Sequence, residues 1–344
     1  MTERLLGAMV SICVNRLDPP LHVSHMTIKS PSIVRLHLKF DQAEGRGYAW
    51  TLAESDALEL QNRLNELLQP QTGQPLDDAF LDWLTTKEPN PDLTVQRVRA
   101  AIDIALIDAG QSEALARRHP KVDDGRVPRE VSFKRQESNP RIYASDLYDS
   151  QPLDEIVSLA RSYVAAGFSG LKMRIGRRDA VWARERLYAV RAAIQPNTTL
   201  MVDGVQGWDD PFCHAMMPDL VDARVTWLED PFTPDAYESL RALVAWSPVD
   251  ICTGESCRSL EQVRSVIETG VHTVMLDIQH LGGISATLQA MRLVTDADRE
   301  LTFHVFTDIS ASLATGWKVG WVEWAPLWGV CLSPPALSPP VLSC

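Results

Sequence analysis

Asp203, Glu229 and Glu255 stand 26 residues apart, and each closes a short apolar or β-branched run: "TLMVD", "VTWLE" and "DICTGE". Two further runs end on or near groups that handle protons, Asp277 in "TVMLD" and His304 in "LTFHV". The run "LKMRI" carries Lys172 and Arg174, which as alternate residues of a strand share one face. Taken singly, an acid at a strand end is most often a helix cap or a solvated loop entry, and a lone histidine is most often a satisfied core residue. The spacing changes that reading. One βα repeat separates each of the three acids from the next, so consecutive parallel strands would hold them side by side at the C-terminal end of a barrel, where active-site loops converge. Three adjacent carboxylates repel unless something neutralises them. A hard divalent cation with oxygen ligands, Mg²⁺ ahead of Mn²⁺, is the economical neutraliser. Lys172 and Arg174 would face that site and any anionic substrate bridging to the metal. Asp277, one strand from His304, would fix the imidazole tautomer and raise its basicity, placing a general base opposite the metal. His22, His25, His37, His119, His214, His272 and His280 lack such company and read as structural.

Eight candidate strands are expected to position these groups: 141–145, 171–175, 199–203, 225–229, 250–255, 273–277, 301–305 and 321–324. Between them lie stretches of helical periodicity such as "DEIVSLARSYVAAG" and "SLEQVRSVIETG", several entered through Ser or Asp and closed by Gly. Strand and helix alternate throughout, which predicts an α/β fold with a parallel (β/α) barrel over residues 139–326. Residues 1–138 read as a separate α+β domain, with strands near "IVRLHLKF" and "GRGYAWTL" and helices at "SDALELQNRLNELL" and "TVQRVRAAIDIALIDAG". The polar, breaker-rich stretch 119–140 is the expected connection between the two, and residues 327–344, with two Pro-Pro pairs, are expected to be an irregular tail. With 344 residues, a two-domain protein or one large barrel are both open. A formal net charge of -12, with no long basic run, argues against nucleic acid as a partner. No stretch is apolar enough for a membrane helix or a secretory signal, so a soluble, cytoplasmic protein is expected. The six cysteines have no framework spacing and read as reduced, mostly buried thiols.

These motifs in combination, "AAIDIALIDAG", "LKMRIG", "MVDG", "WLEDPF", "TGES", "LDIQHLGGIS", "FHVF" and "WVEW", resemble the mandelate racemase/muconate lactonizing-like subgroup of the enolase superfamily over about residues 30 to 326. The resemblance implies an α+β capping domain over a modified TIM barrel. It implies Mg²⁺ as cofactor, held by Asp203, Glu229 and Glu255, and Lys172 contacting the substrate carboxylate. Asp277 and His304 would form the acid/base dyad, with Glu323 hydrogen-bonded to the substrate carboxylate. Three departures are visible. Where the family has a second lysine that serves as base on the other face, this chain has Arg174, whose neutral form at pH 7 would cost roughly 7 to 9 kcal/mol. Where an asparagine is common, two residues past the first metal ligand, it has Val205. Where relatives continue past the eighth strand, it has the Pro/Ser/Leu tail. With His304 as the one credible base, dehydration of a sugar acid is expected, His304 taking the α-proton and returning it to the leaving β-hydroxyl. A racemase or epimerase of a 2-hydroxy acid, and an impaired relative acting as a binding protein, are the alternatives. The expected partner is a small-molecule carboxylate, with neither nucleic acid nor membrane; self-association is open. Specificity is expected from 18–30 and 46–56.

Overall fold

A computed structural model of the protein describes residues 3–23, 26–86, 88–111, 140–176, 179–315 and 317–328. The stretch 119–140 except its last residue, and the tail beyond residue 328, lie outside the described residues. The expected barrel is present. Strands β6 (Arg141–Leu147), β7 (Gly170–Arg174), β8 (Thr199–Asp203), β9 (Val225–Glu229), β10 (Asp250–Thr253), β11 (Thr273–Leu276), β12 (Glu300–Phe303) and β13 (Val319–Trp324) pair in sequence order and close on themselves, β13 against β6. All of these pairings are parallel.

The period-2 alternation of a strand puts the inward-facing acids of the mouth on the same faces as an apolar layer beneath them. Tyr143, Met201, Trp227, Cys252, Met275 and Trp321, one from each of six strands, form a buried cluster inside the barrel. Two residues further along the same faces come Asp203, Glu229, Asp277 and Glu323. An apolar floor therefore lies beneath an acidic mouth. Two strands, β10 and β12, end two residues earlier than the sequence suggests. β10 stops at Thr253 because Gly254 takes φ 124°, a turn that a side chain could not follow, since a Cβ there would lie 2.8 Å from the Met275 carbonyl oxygen. Glu255 is thus a turn residue. β12 stops at Phe303, and His304, whose N–H donates to the Leu276 carbonyl, precedes two left-handed residues, Val305 and Phe306.

The N-terminal region builds an antiparallel sheet of β1 (Leu5–Val14), β4 (Ser32–Phe40) and β5 (Glu44–Thr51), with a small hairpin of β2 (Leu21–Val23) and β3 (Met26–Ile28). Helices α1 (Glu54–Leu68), α2 (Asp78–Thr85) and α3 (Leu93–Asp108) accompany it. β1 and α2 were not evident in the sequence, where the first residues attract attention only as a possible targeting segment. Asp92 caps α3 by accepting from the Thr94 and Val95 amides at 2.9 and 3.1 Å. Every residue of α3 from Gln96 to Ile107 is buried, so this helix is enclosed on all sides. It lies in the seam between the two regions. There the Asp103 carboxylate accepts from the Ser285 amide at 3.1 Å and from its hydroxyl at 2.6 Å, at the start of the barrel helix Ile284–Asp296 that follows β11. Gly283, at φ 125°, makes room: a Cβ there would sit 2.5 Å from an Asp103 oxygen.

Cys213, Cys252 and Cys257 are free and buried, as expected, but Cys13 is disulfide-bonded, against the expectation of reduced thiols. Among the described residues, no helix is long and apolar enough to cross a membrane.

Candidate active site

Lys172 is fully buried at the barrel mouth and holds three of the acids together. Its ammonium donates to a Glu229 oxygen, lies 2.9 Å from Glu323 Oε1 and 3.6 Å from Asp203 Oδ2, and rests 5.8 Å above the Tyr143 ring. Register accounts for the grouping: Asp203 pairs directly with Glu229, and Arg174 with Asp203. Arg174 Nε stands 3.5 Å from Asp203 Oδ2, with the guanidinium 4.6 Å from the Tyr148 ring. Burial works against both cations, but it is outweighed for Lys172 by Glu229 and Glu323 and for Arg174 by Tyr148 and Asp203, so both are held above their ordinary pKa values. Neither is poised to lose a proton.

On the opposite wall His304 Nδ1 lies 2.7 Å from Asp277 Oδ2, and its Nε2 lies 3.5 Å from Glu255 Oε2. Burial lowers the imidazole pKa, yet Glu255 and the hydrogen bond to Asp277 overcome it and push His304 up to about 10. Burial alone would raise the Asp277 carboxyl; His280 and His304 together bring it below its ordinary value. Glu323 joins the two walls, accepting from the Val305 amide at 3.0 Å. Against its burial, Lys172, His304 and Arg174 drive its pKa down, so it is an acceptor here. Glu229 is raised well above the usual range by burial, which Lys172 only partly offsets.

The sequence-derived residues therefore occupy one mouth, with Asp203 and Glu229 turned to Lys172 and Glu255 turned to His304. Among the described residues, no group of three or more His, Cys, Asp or Glu side chains is arranged to hold a metal ion. Three neighbours escaped the sequence reading. His280, taken there as structural, bonds through Nδ1 to the Glu255 carbonyl at 2.7 Å, its ring 6.4 Å from that of His304. Asp230, bonded to Thr253 and Gln206, is pushed up to about 7 by burial and by Glu255. Trp50, from β5, sets its ring edge-on to His304 at 5.8 Å. The adjacency of Asp230 and His280 to motif acids in "WLEDPF" and "LDIQH" was the available signal for the first two.

The family described as Enolase C-terminal domain-like matches residues 155–325. The chain is 28% identical over 174 residues to L-talarate/galactarate dehydratase of Salmonella typhimurium, a stretch covering 50% of this chain and 44% of that protein. It is 25% identical over 200 residues to a chloromuconate cycloisomerase of Delftia acidovorans, covering 58% of this chain and 51% of the other. The matched stretches thus span about half the length of these relatives. In three dimensions it is similar to the Salmonella typhimurium dehydratase liganded with Mg and L-lyxarohydroxamate, with TM-score 0.80, 20% identity, and 95% of this chain and 84% of that one covered. This chain belongs to the enolase superfamily, among relatives of the mandelate racemase/muconate lactonizing kind.

Proposed function

We propose that the protein removes the proton α to a carboxylate in a Mg²⁺-dependent reaction, and that the reaction is dehydration of a sugar acid. The observation that carries this reading is the chemical difference between the walls: a hydrogen-bonded His304–Asp277 pair on one, and on the other Lys172 enclosed by Glu229, Glu323 and Asp203 beside Arg174, a guanidinium that stays protonated at any working pH. A dehydratase needs one group to take a proton and return it; a racemase needs an acceptor on each face.

The donor set suits a hard divalent cation, because Asp203, Glu229 and Glu255 are carboxylates from adjacent strand ends, and two of them already crowd around an ammonium. These three residues would hold Mg²⁺, exchanging their present contacts with Lys172 and His304 for metal bonds. When bound, the ion supplies a fixed positive charge against the substrate carboxylate. Lys172 then serves that carboxylate from the same side. With Glu255 so engaged, His304 would lose the neighbour that most strongly holds its proton, and its Nε2 would be the atom that takes the α-proton while Asp277 fixes the ring. The imidazolium returns the proton to the departing hydroxyl. Glu323 keeps Lys172 and the Val305 amide beside His304; to donate to a substrate carboxylate it must first gain a proton, which an incoming anion favours.

The test is incubation with Mg²⁺ and a panel of sugar acids in D₂O. Formation of a 2-keto-3-deoxy acid is expected. Deuterium exchange with inversion and no elimination would replace the dehydratase by an epimerase, and binding without exchange or product would leave a binding protein.

A further inference from the structure

A cavity of about 380 Å³ opens in the seam between the capping domain and the barrel, and none of the charged groups of the mouth lines it. Its walls come from the end of α2, from α3, and from the barrel stretches 258–264 and 281–289. Three arginines share these walls: Arg99 from α3, Arg258 from the loop after β10, and Arg264 from the helix Leu260–Glu268. Arg99 is 3% exposed. It donates to Gln96 Oε1 at 3.2 Å and to Glu88 Oε1 at 3.1 Å, and lies 5.1 Å from the Trp83 ring, yet its Nε is a buried donor without a partner. An unpaired buried N–H of a charged group is costly. Arg258 is half-buried and Arg264 exposed. Among the described residues, neither guanidinium makes a hydrogen bond or an ion pair. The acids of the same walls do not answer them: Glu88 is spent on Arg99, Asp103 is held by Ser285, and Glu261 is exposed. The cavity thus offers more guanidinium donors than its own carboxylates use.

Guanidinium groups recognise oxyanions, and the placing of these three distinguishes between kinds. A carboxylate presents two oxygens in one plane, which a single guanidinium fork can satisfy. A phosphate monoester presents three acceptor oxygens around a tetrahedral centre and can be met from several walls at once. The carboxylates of Asp103 and Glu261, in the same lining, keep acceptor lone pairs for hydroxyl groups. We propose that this cavity binds a phosphate monoester of a small polyhydroxylated molecule, its phosphoryl group served by Arg99, Arg258 and Arg264 and its hydroxyl groups by Asp103 and Glu261. The volume falls within the roughly 300 to 1,000 Å³ of small-molecule sites. Such a ligand touches both bodies of the protein. Gln96, on α3, already donates to the Arg258 carbonyl at 2.8 Å, three residues past Glu255. A ligand held here therefore ties the cap to the loop that carries a mouth acid, and cap closure becomes linked to ligand concentration. This holds whatever reaction the mouth performs.

The experiment is calorimetric titration of the full chain with D-glucose 6-phosphate, inorganic phosphate, D-gluconate and D-glucose, for wild type, Arg264→Glu and Ala286→Phe. Ala286 lines the cavity, so a phenyl ring there occupies the ligand's space. Wild type should bind the phosphate ester about 10-fold more tightly than inorganic phosphate, the scale of one or two added hydrogen bonds, and should not bind glucose. Arg264→Glu should weaken the ester by about 10- to 100-fold, the scale of a charge-assisted hydrogen bond, and Ala286→Phe should abolish its binding. Gluconate affinity that both variants leave unchanged while they weaken the ester would separate this cavity from the mouth and support the proposal. Wild type that does not bind the ester, or an ester affinity that both folded variants leave unchanged, overturns it. Gluconate bound through Arg264 in place of the ester overturns the assignment to phosphate. If Ala286→Phe does not fold, Arg264→Glu, at an exposed position, decides. The tie between the two bodies is read by hydrogen exchange: amides of α3 should exchange more slowly with the ester bound, and unchanged exchange there overturns the bridging role.

Discussion

At the barrel mouth Lys172, Asp203, Glu229 and Glu323 are buried together and answer one another's charge; in the seam with the capping domain, Asp103 and Arg97 are nearly as buried and, among the described residues, form no ion pair. The two regions handle desolvated charge differently. A cluster of mixed sign can trade partners, because each group that leaves finds another to take its place. Asp103 and Arg97 cannot trade. One is held by the N–H and hydroxyl of Ser285 and fastens the cap to the barrel, and the other faces an unfilled requirement.

The largest expected effect falls on the mouth's chemistry. Substituting His304→Asn should lower turnover by about 10³- to 10⁴-fold and abolish α-proton exchange along with dehydration. Exchange that persists at one substrate face would reveal a second base and end the asymmetry of the two walls. Next comes the mouth's self-compensation: Lys172→Met leaves acids buried without their ammonium and should cost roughly 3 to 5 kcal/mol in urea unfolding, part of which added Mg²⁺ should restore. A variant as stable as wild type would mean that the mouth charges are not coupled in this way.

The seam has a different signature, in pH. Burial pushes the Asp103 carboxyl up to about 6, against the opposing hydrogen bonds from Ser285. Between about pH 4 and 6 the native state then keeps a proton that the unfolded chain has already released, so this group's contribution to stability falls as pH rises through that window, by up to about 3 kcal/mol. Asp103→Asn should remove this slope, so that the wild-type-minus-variant stability difference falls across the same range in pH-dependent denaturation; identical slopes would show that Asp103 is as solvated as an ordinary surface acid. The smallest effect concerns the mouth's scaffold. Val205 sits at φ 51°, a left-handed conformation that a β-branched residue adopts with strain and asparagine tolerates. Val205→Asn should stabilise the fold by about 1 kcal/mol, read as a rise in melting temperature.

Much of the barrel was legible because its strands are short apolar runs that end in polar residues at a regular repeat. That rhythm located Asp203, Glu229 and Asp277, and the same pleat put Lys172 and Arg174 on one face. It could not show that Gly254 ends β10 and swings Glu255 toward His304, because that depends on a carbonyl of the next strand. Glu323 came from family resemblance, since "WVEW" alone does not say which residue points inward. The seam was less legible still. Arg97 and Asp103 look like the solvated charges of an amphipathic helix, and only the packing of α3 between two bodies shows that no face of it meets water. The place of His280 was hidden for a related reason: its partner is a backbone carbonyl, which no side-chain pattern announces.

The aromatic and sulfur-bearing floor of the barrel sets the traffic through this molecule. Tyr143, Met201, Trp227, Cys252, Met275 and Trp321 fill the interior beneath the charges, so the mouth is a blind well and not a tunnel. In the proposed reaction, reactant, product and any expelled water would share one doorway, on the side of the capping domain. Departure is therefore sequential, and the breathing of that cover, instead of bond-breaking below it, can become the slowest event in a cycle.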